Sequence, residues 1–410
     1  MKKEIVYLPA IIICLTLCTW SCESDDSSPS GDFSSQHQFV AMHWNADSNA
    51  PPYFSLLNID NGEPDFNHLT DVYPYYTTSF NAWKQSFHQA NGVLGFTLHE
   101  DLSETVTNNH GEELTRWTGA WMDMRDGEMH ELPTLNPCLD FGYDSGCGRY
   151  SFTQRNSVRI GKSGHVFYVA MSRYTAGGWH TEPRYRIIRL DPQTGEYEVS
   201  PLISGWTNGQ PEINAETYGL ASIRDLLPTA DGRHVYGITS AWGISGGNLI
   251  GSNDLLFRYD FDAEEYSRVE EIPYDINLSG ITADDRYILY YDRNDGNNYR
   301  YDTHTGQSIL IEEAGIGYHY QTMMHNNGAI GGAYPLRQLW HGNVITDETI
   351  KIPVPDHPGH PMFSADGAQV YFRYRWCDTN YLLRLNNLTE EATVDTVAIL
   401  PEHVRVMTIY

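Results

Sequence analysis

One short signal recurs along this 410-residue chain and restricts its fold more than any other: a tight polar turn followed by a strongly apolar strand. It stands as 91-NGVLGFTL-98, 163-SGHVFYVAM-171, 231-DGRHVYGIT-239, 284-DDRYILYYD-292, 327-NGAIGGAY-334 and 366-DGAQVYFRY-374. A second signal alternates with it. A strand ends in Asp or Asn, turns, and continues as another alternating strand, as in 59-IDNGE-63, 124-MRDGE-128, 190-LDPQTGE-196, 259-YDFDAEE-265, 301-YDTHTGQ-307 and 385-LNNLTEE-391. Asp-Gly and Asn-Gly between alternating runs are hairpin signals, because Gly and Asn accept the positive φ that a tight turn demands.

Two hairpins per unit make four antiparallel strands. The second-turn positions 232, 285, 328 and 367 are separated by 53, 43 and 39 residues, the period of a propeller blade. The earlier units are longer and carry loop insertions. The chain therefore predicts an all-β fold, a seven-bladed β-propeller of four-stranded antiparallel blades over residues 37–410. The lone final strand, 403-HVRVMTIY-410, is expected to pair into the first unit and close the ring, which removes open edges. A pair of β-sandwiches is the alternative architecture. The unit 360-HPMFSADGAQVYF-372 resembles the repeat of TolB-type propellers.

Residues 1–36 are expected to lie outside this fold. Lys2 and Lys3 precede the apolar run 6-VYLPAIIICLTLC-18, which reads as a signal-peptide core. The following 19-TWSC-22 resembles a bacterial lipoprotein cleavage box, so 1–21 is assigned as signal peptide and Cys22 as the lipid anchor. Ordinary secretion with cleavage elsewhere, or a cleavage box at Cys18, is the alternative. The tract 23-ESDDSSPSGD-32 resembles the surface-export tether of Bacteroidetes lipoproteins, and 22–36 is assigned as a disordered acidic linker. An outer-membrane lipoprotein facing the cell exterior is the expected location. Cys138 and Cys147 flank a Gly- and Asp-rich loop and are expected to form a local disulfide in an oxidising compartment. Cys377 is left over, as a buried thiol or a metal ligand.

Charge narrows the partners. Fifty-three Asp and Glu against 26 Lys and Arg give a net charge of −27, which excludes a general nucleic-acid binder. In a propeller, first-strand starts and second-strand ends share one rim, the usual ligand face. On that rim this acidic chain gathers Arg155, Arg173, Arg224, Arg293, Arg373 and Arg375, together with Tyr174, Trp179, His180 and His319. Arginine binds carboxylate or sulfate through a planar fork, and Trp offers a flat face to a sugar ring. Each arginine taken singly is also satisfied by a local acid; taken together they point to an anionic carbohydrate.

A uronic acid on such a rim is open to β-elimination. That reaction needs donors at the carboxylate, a base for the C5 proton and an acid for the group leaving C4. Arginines supply the first; Tyr174, His180, His319 and His360 are the candidates for the other two, with Tyr174 and His180 or His319 preferred. Hydrolysis needs instead a pair of flanking carboxylic acids, and Glu100-Asp101 and Asp292 are the nearest approach to one. The layout of 154-QRNSVRIGKSGHVFYVAMSRY-174, followed by His180, is similar to the blades of propeller lyases that cleave ulvan and of the related dehydratase of ulvan oligosaccharides. In those lyases a His-Asn pair precedes the hairpin; here Arg155-Asn156 stands in its place, so their acid and base assignment does not transfer. The stretch 357-HPGHPMFSADG-367 resembles the propeller oligogalacturonate lyases, which hold a divalent metal through His and Gln; their Gln-x-x-His spacing is absent. His357 and His360, with His319, Gln321 and His325 from the adjacent unit, leave zinc or manganese open, although elimination requires no cofactor. The reading is a monomeric lyase or dehydratase acting on a uronate-containing, ulvan-like glycan. A glycan-binding propeller without catalysis and a propeller glycoside hydrolase are the alternatives.

Overall fold

The computed structural model describes residues 38–43, 53–60, 62–71, 86–88, 93–99, 106–107, 113–114, 117–124, 127–133, 149–153, 158–176, 179–180, 184–201, 218–245, 248–250, 254–272, 276–292, 294–312, 318–325, 328–334, 338–346, 348–354, 361–364, 367–376, 379–389 and 391–409, some of them in backbone only. The expected signal, tether, lipid anchor Cys22 and the Cys138–Cys147 pair lie outside the described residues, as does Cys377.

All regular structure among the described residues is β, arranged in antiparallel sheets whose main path is four strands long, apart from one two-stranded sheet. In the sheet of residues 276–312, strands Ile276–Ile281, Tyr287–Asp292, Asn297–Asp302 and Gln307–Glu312 pair in chain order. The sheets of residues 318–353 and 361–400 repeat this order, and those of residues 149–199 and 218–272 add short strands to it. The first strands Tyr218–Pro228, Ile276–Ile281, Tyr318–His325 and Pro361–Phe363 stand side by side in sequence. The architecture is propeller-like. The final strand Val404–Ile409 pairs antiparallel with the first strand, Phe39–His43, and Pro361–Phe363 stands next to it.

The two turn signals have separate physical causes. In the first, a hydroxyl residue folds the chain back on itself. Thr229 Oγ1 donates to Asp231 and accepts from the His234 amide, while the Gly232 amide donates to the Thr229 carbonyl. Thr282 repeats this with Asp284, Tyr287 and Asp285, and Ser364 accepts from Gln369 while the Gly367 amide closes the turn. The fourth turn position needs positive φ, 71° at Gly232 and 70° at Gly367. Asp285 takes it at 58°, and its carboxylate accepts the Ala230 amide of the neighbouring sheet at 2.8 Å. In the second signal, the strand-ending acid accepts the amide two residues on: Asp191 from Gln193, Asp260 from Asp262, Asp292 from Asn294, Asp302 from His304, and Asn343 from Ile345.

Between sheets the core is apolar and continuous. Phe167, Val169 and Ile187 pack on Ile223, Val235 and Phe257, and Ile238 and Leu256 on Ile276, Ile288 and Tyr290. The last sheet meets the first in the same way: Tyr371, Leu382 and Ala398 pack on Phe39, Ala41 and Leu57, with Val404 and Val406 of the closing strand between them. Residues from opposite ends of the chain thus share one interface.

Candidate functional site

The seam between the first and last sheets carries the basic residues whose side chains are best described. Arg373 stands in Val370–Trp376, two residues beyond Tyr371, whose ring meets Phe39 edge-on at 5.0 Å. Strand alternation puts Arg373 on the same face as Tyr371, toward the first sheet. Its guanidinium is partly buried, and its pKa is pulled down to about 10, first by burial and then by the like charge of Arg405. Among the described residues no carboxylate pairs with Arg373. Other described arginines have acids or carbonyls: Arg159 pairs with Asp225 at 2.6 Å, Arg189 with Glu198 at 2.6 Å, and Arg300 donates to the carbonyls of Val344 and Ile345.

Arg405 lies near the start of the closing strand, opposite Met42, and His403 precedes that strand. His43 ends the first strand and is only 4% exposed. Its Nε2 is hydrogen-bonded to Ser55 Oγ at 2.8 Å, its ring lies flat on Tyr53, and Phe66 meets it edge-on at 4.7 Å. The His403 ring is tilted against it at 5.9 Å. His43 Nδ1 is buried without a hydrogen-bond partner among the described residues. Burial lowers its pKa to about 4, helped by the charges that His403 and His68 carry when protonated. His43 is therefore neutral at pH 7 and belongs to the wall of the seam. The seam brings the half-buried Arg373 within electrostatic reach of Arg405, with the exposed His403 two residues before Arg405, an arrangement that favours an anion.

The other expected site residues are placed by backbone or lie outside the described residues. Arg173 and Tyr174 stand in Val166–Ala176, opposite Tyr150 and Arg149. Trp179 and His180 form a two-residue strand that folds back on that same strand, His180 opposite Thr175 and Trp179 opposite Ala176. The backbone thus brings His180 one register step from Tyr174. His319 lies opposite Ala333 in Tyr318–His325, and Arg375 opposite Asn380. Arg224 lies in Tyr218–Pro228, at a register shift between Ile223 and Asp225. Arg155, Arg293, His357 and His360 lie outside the described residues. No group of three or more His, Cys, Asp or Glu among the described residues is arranged to hold a metal.

The sequence reading passed over His43, His403 and Arg405. Both signals were present: with the final strand counted as the first of its sheet, Phe39–His43 becomes the second and His43 its end, and His403 and Arg405 head the strand expected to close the ring.

No family model matches the chain, and no curated protein matches it. Solved structures do. A variant of Synechocystis apocarotenoid oxygenase is 12% identical with a TM-score of 0.50, covering 93% of each chain. An oligogalacturonate lyase in complex with manganese is 11% identical with a TM-score of 0.48, covering 77% of this chain and 76% of its own. TolB from Acinetobacter baumannii is 12% identical with a TM-score of 0.40, covering 85% and 76%. At these identities likeness concerns the fold alone.

Proposed function

We propose that this protein binds a uronate-containing carbohydrate on the rim of a closed seven-bladed propeller and cleaves it by β-elimination. The observation that carries the reading is Arg373, a partly buried cation beside a second arginine with no acid beside it among the described residues. Desolvating a guanidinium near a like charge is unfavourable, and an anionic ligand reverses the sign of that interaction. The pairing of Val404–Ile409 with Phe39–His43 supports the closed ring.

In the reaction, arginine donors neutralise the uronate carboxylate and so acidify the C5 proton. A base removes that proton. The C5–H electron pair becomes the C4–C5 double bond as the C4–O bond breaks, and an acid protonates the departing oxygen. A departing sugar makes the enzyme a lyase, a departing water a dehydratase. Tyr174 and His180, neighbours by backbone register, are assigned to the proton transfers, with His319 as the alternative base. Arg155, Arg173, Arg224, Arg293 and Arg375 are assigned to the glycan with Arg373. His357 and His360 remain the residues to hold zinc or manganese if a divalent ion takes part. The protein is read as a monomeric outer-membrane lipoprotein anchored through Cys22, and ulvan-like glycans as its substrates.

Ultraviolet absorbance tests the chemistry, because elimination alone creates a double bond conjugated to the carboxylate. Incubation with a panel of uronate polysaccharides and oligosaccharides should yield the signal with at least one. Binding without absorbance would assign the protein instead as a carbohydrate-binding propeller; new reducing ends without absorbance would assign it as a hydrolase.

A further inference from the structure

We propose that Asn380 is a positioning residue of the anion site, and that docking of the C-terminal strand is what assembles that site. The inference rests on the reading of Arg373 as an anion-binding group. Asn380 is 6% exposed, in Thr379–Leu385 of the last sheet. Two residues on, Leu382 packs into the seam with the first sheet, so Asn380 lies on that same face. Its register partner is Arg375, and that of Leu382 is Arg373.

The Asn380 amide turns toward the chain end. Nδ2 donates to the carbonyls of Glu402 at 2.8 Å and Pro401 at 3.2 Å, with Val404 O at 3.5 Å. These carbonyls form the turn that leads into the closing strand, and the Val404 amide donates back to Pro401 O at 3.0 Å. That turn carries His403 and delivers Arg405. One buried amide therefore ties the last sheet, which bears Arg373, to the segment that bears Arg405. An apolar side chain at 380 would fill the seam without fixing the turn's orientation, whereas hydrogen bonds to its carbonyls set direction as well as distance.

A consequence follows by linkage. Arg373 comes from the last sheet, His403 and Arg405 from the chain end, and His43 from the first strand. An anion that binds Arg373 together with Arg405 binds the docked state of the closing strand more tightly than the undocked one, and so holds that strand down.

The test uses D-glucuronate and inorganic sulfate as probes, with calorimetry for affinity and hydrogen exchange for the closing strand. In the wild-type protein glucuronate should raise Tm and slow exchange at Val404–Ile409. Asn380→Ala should keep the fold and lose roughly tenfold in affinity, the scale expected when charged contacts are held slightly out of place. Asn380→Asp keeps the shape, loses the donor and adds a carboxylate on the strand face opposite Arg375 and Arg373. It should bind more weakly than Asn380→Ala at neutral pH and approach it as the pH falls through the carboxylate range, a dependence that a purely structural role does not produce. Asn386→Ala is the control: its amide ties the other end of the same strand to Thr393 at 2.6 Å, and it should keep wild-type affinity. Wild-type affinity in both Asn380 variants overturns the proposal, as does an equal loss in the Asn386 control. Anion binding without an unsaturated product overturns elimination and leaves the role of Asn380 standing. A wild-type protein that binds neither probe overturns both.

Discussion

The imidazole of His43 lies flat on the ring of Tyr53, 4.2 Å between centroids and 6° from parallel. With Ser55 on one nitrogen and Phe66 at the edge, the ring is held in an environment that disfavours a second proton. Its pKa falls from 6.5 to about 4 in the folded state. The unfolded chain then binds more protons than the folded one between those values, so stability is full above pH 6.5 and declines as the pH falls toward 4. The decline from this group is on the order of 2–3 kcal/mol. Urea melts from pH 7 to 4 should show it, and His43→Gln should flatten that part of the curve. An unchanged acid limb in the variant would place the titration elsewhere.

Arg373→Met separates binding from folding. Removing a desolvated cation with no acid partner among the described residues should leave Tm unchanged or raise it, since an apolar side chain of similar length fits a seam already lined by Tyr371 and Leu382. Affinity for an anionic glycan should fall by about 10–100-fold. A large drop in Tm with binding intact would make Arg373 a structural cation.

Asp285 does two jobs that substitution can divide. Asp285→Gly keeps the left-handed turn easy and removes only the acceptor for Ala230, a loss of about 1–2 kcal/mol. Asp285→Ala loses the same acceptor but keeps a Cβ at positive φ, which glycine relieves, and should lie roughly 1 kcal/mol below Gly. Thermal unfolding should rank wild type above Gly and Gly above Ala; an equal loss in both would mean that φ costs nothing here.

Turnover on a responsive uronate substrate checks the proton-transfer assignment. Tyr174→Phe and His180→Ala should each lower kcat by about 10²-fold or more, with substrate affinity nearly kept. If both retain wild-type turnover, His319→Ala is the variant to measure next.

Cys22→Ala should move the protein from the membrane fraction to the soluble fraction of the native host. Unaltered fractionation would refute lipid anchoring at that residue.

Much of the fold is legible in short range. The Thr229, Thr282 and Ser364 turns and the strand-ending Asp caps are closed by groups within five residues of each other, so the local sequence contains all of their partners. Alternation of apolar residues then commits each strand to a sheet, and the unpaired strand at the chain end implies pairing with the first. The seam was not legible in the same way. Arg373 reads as one more arginine in an acidic chain, and its distinguishing property is the lack of an acid beside it among the described residues, which depends on what Phe39–His43 and Val404–Ile409 bring to it. His43 is likewise an ordinary histidine until Tyr53, Phe66 and His403 exclude water from it. Hydrogen-bonded turns and strand periodicity are properties of neighbours along the chain, whereas desolvation and charge pairing are properties of neighbours in space. The sequence alone therefore determined the hairpins and their repetition, while the tertiary structure decided which cation is desolvated beside a like charge at that seam and which histidine stays neutral.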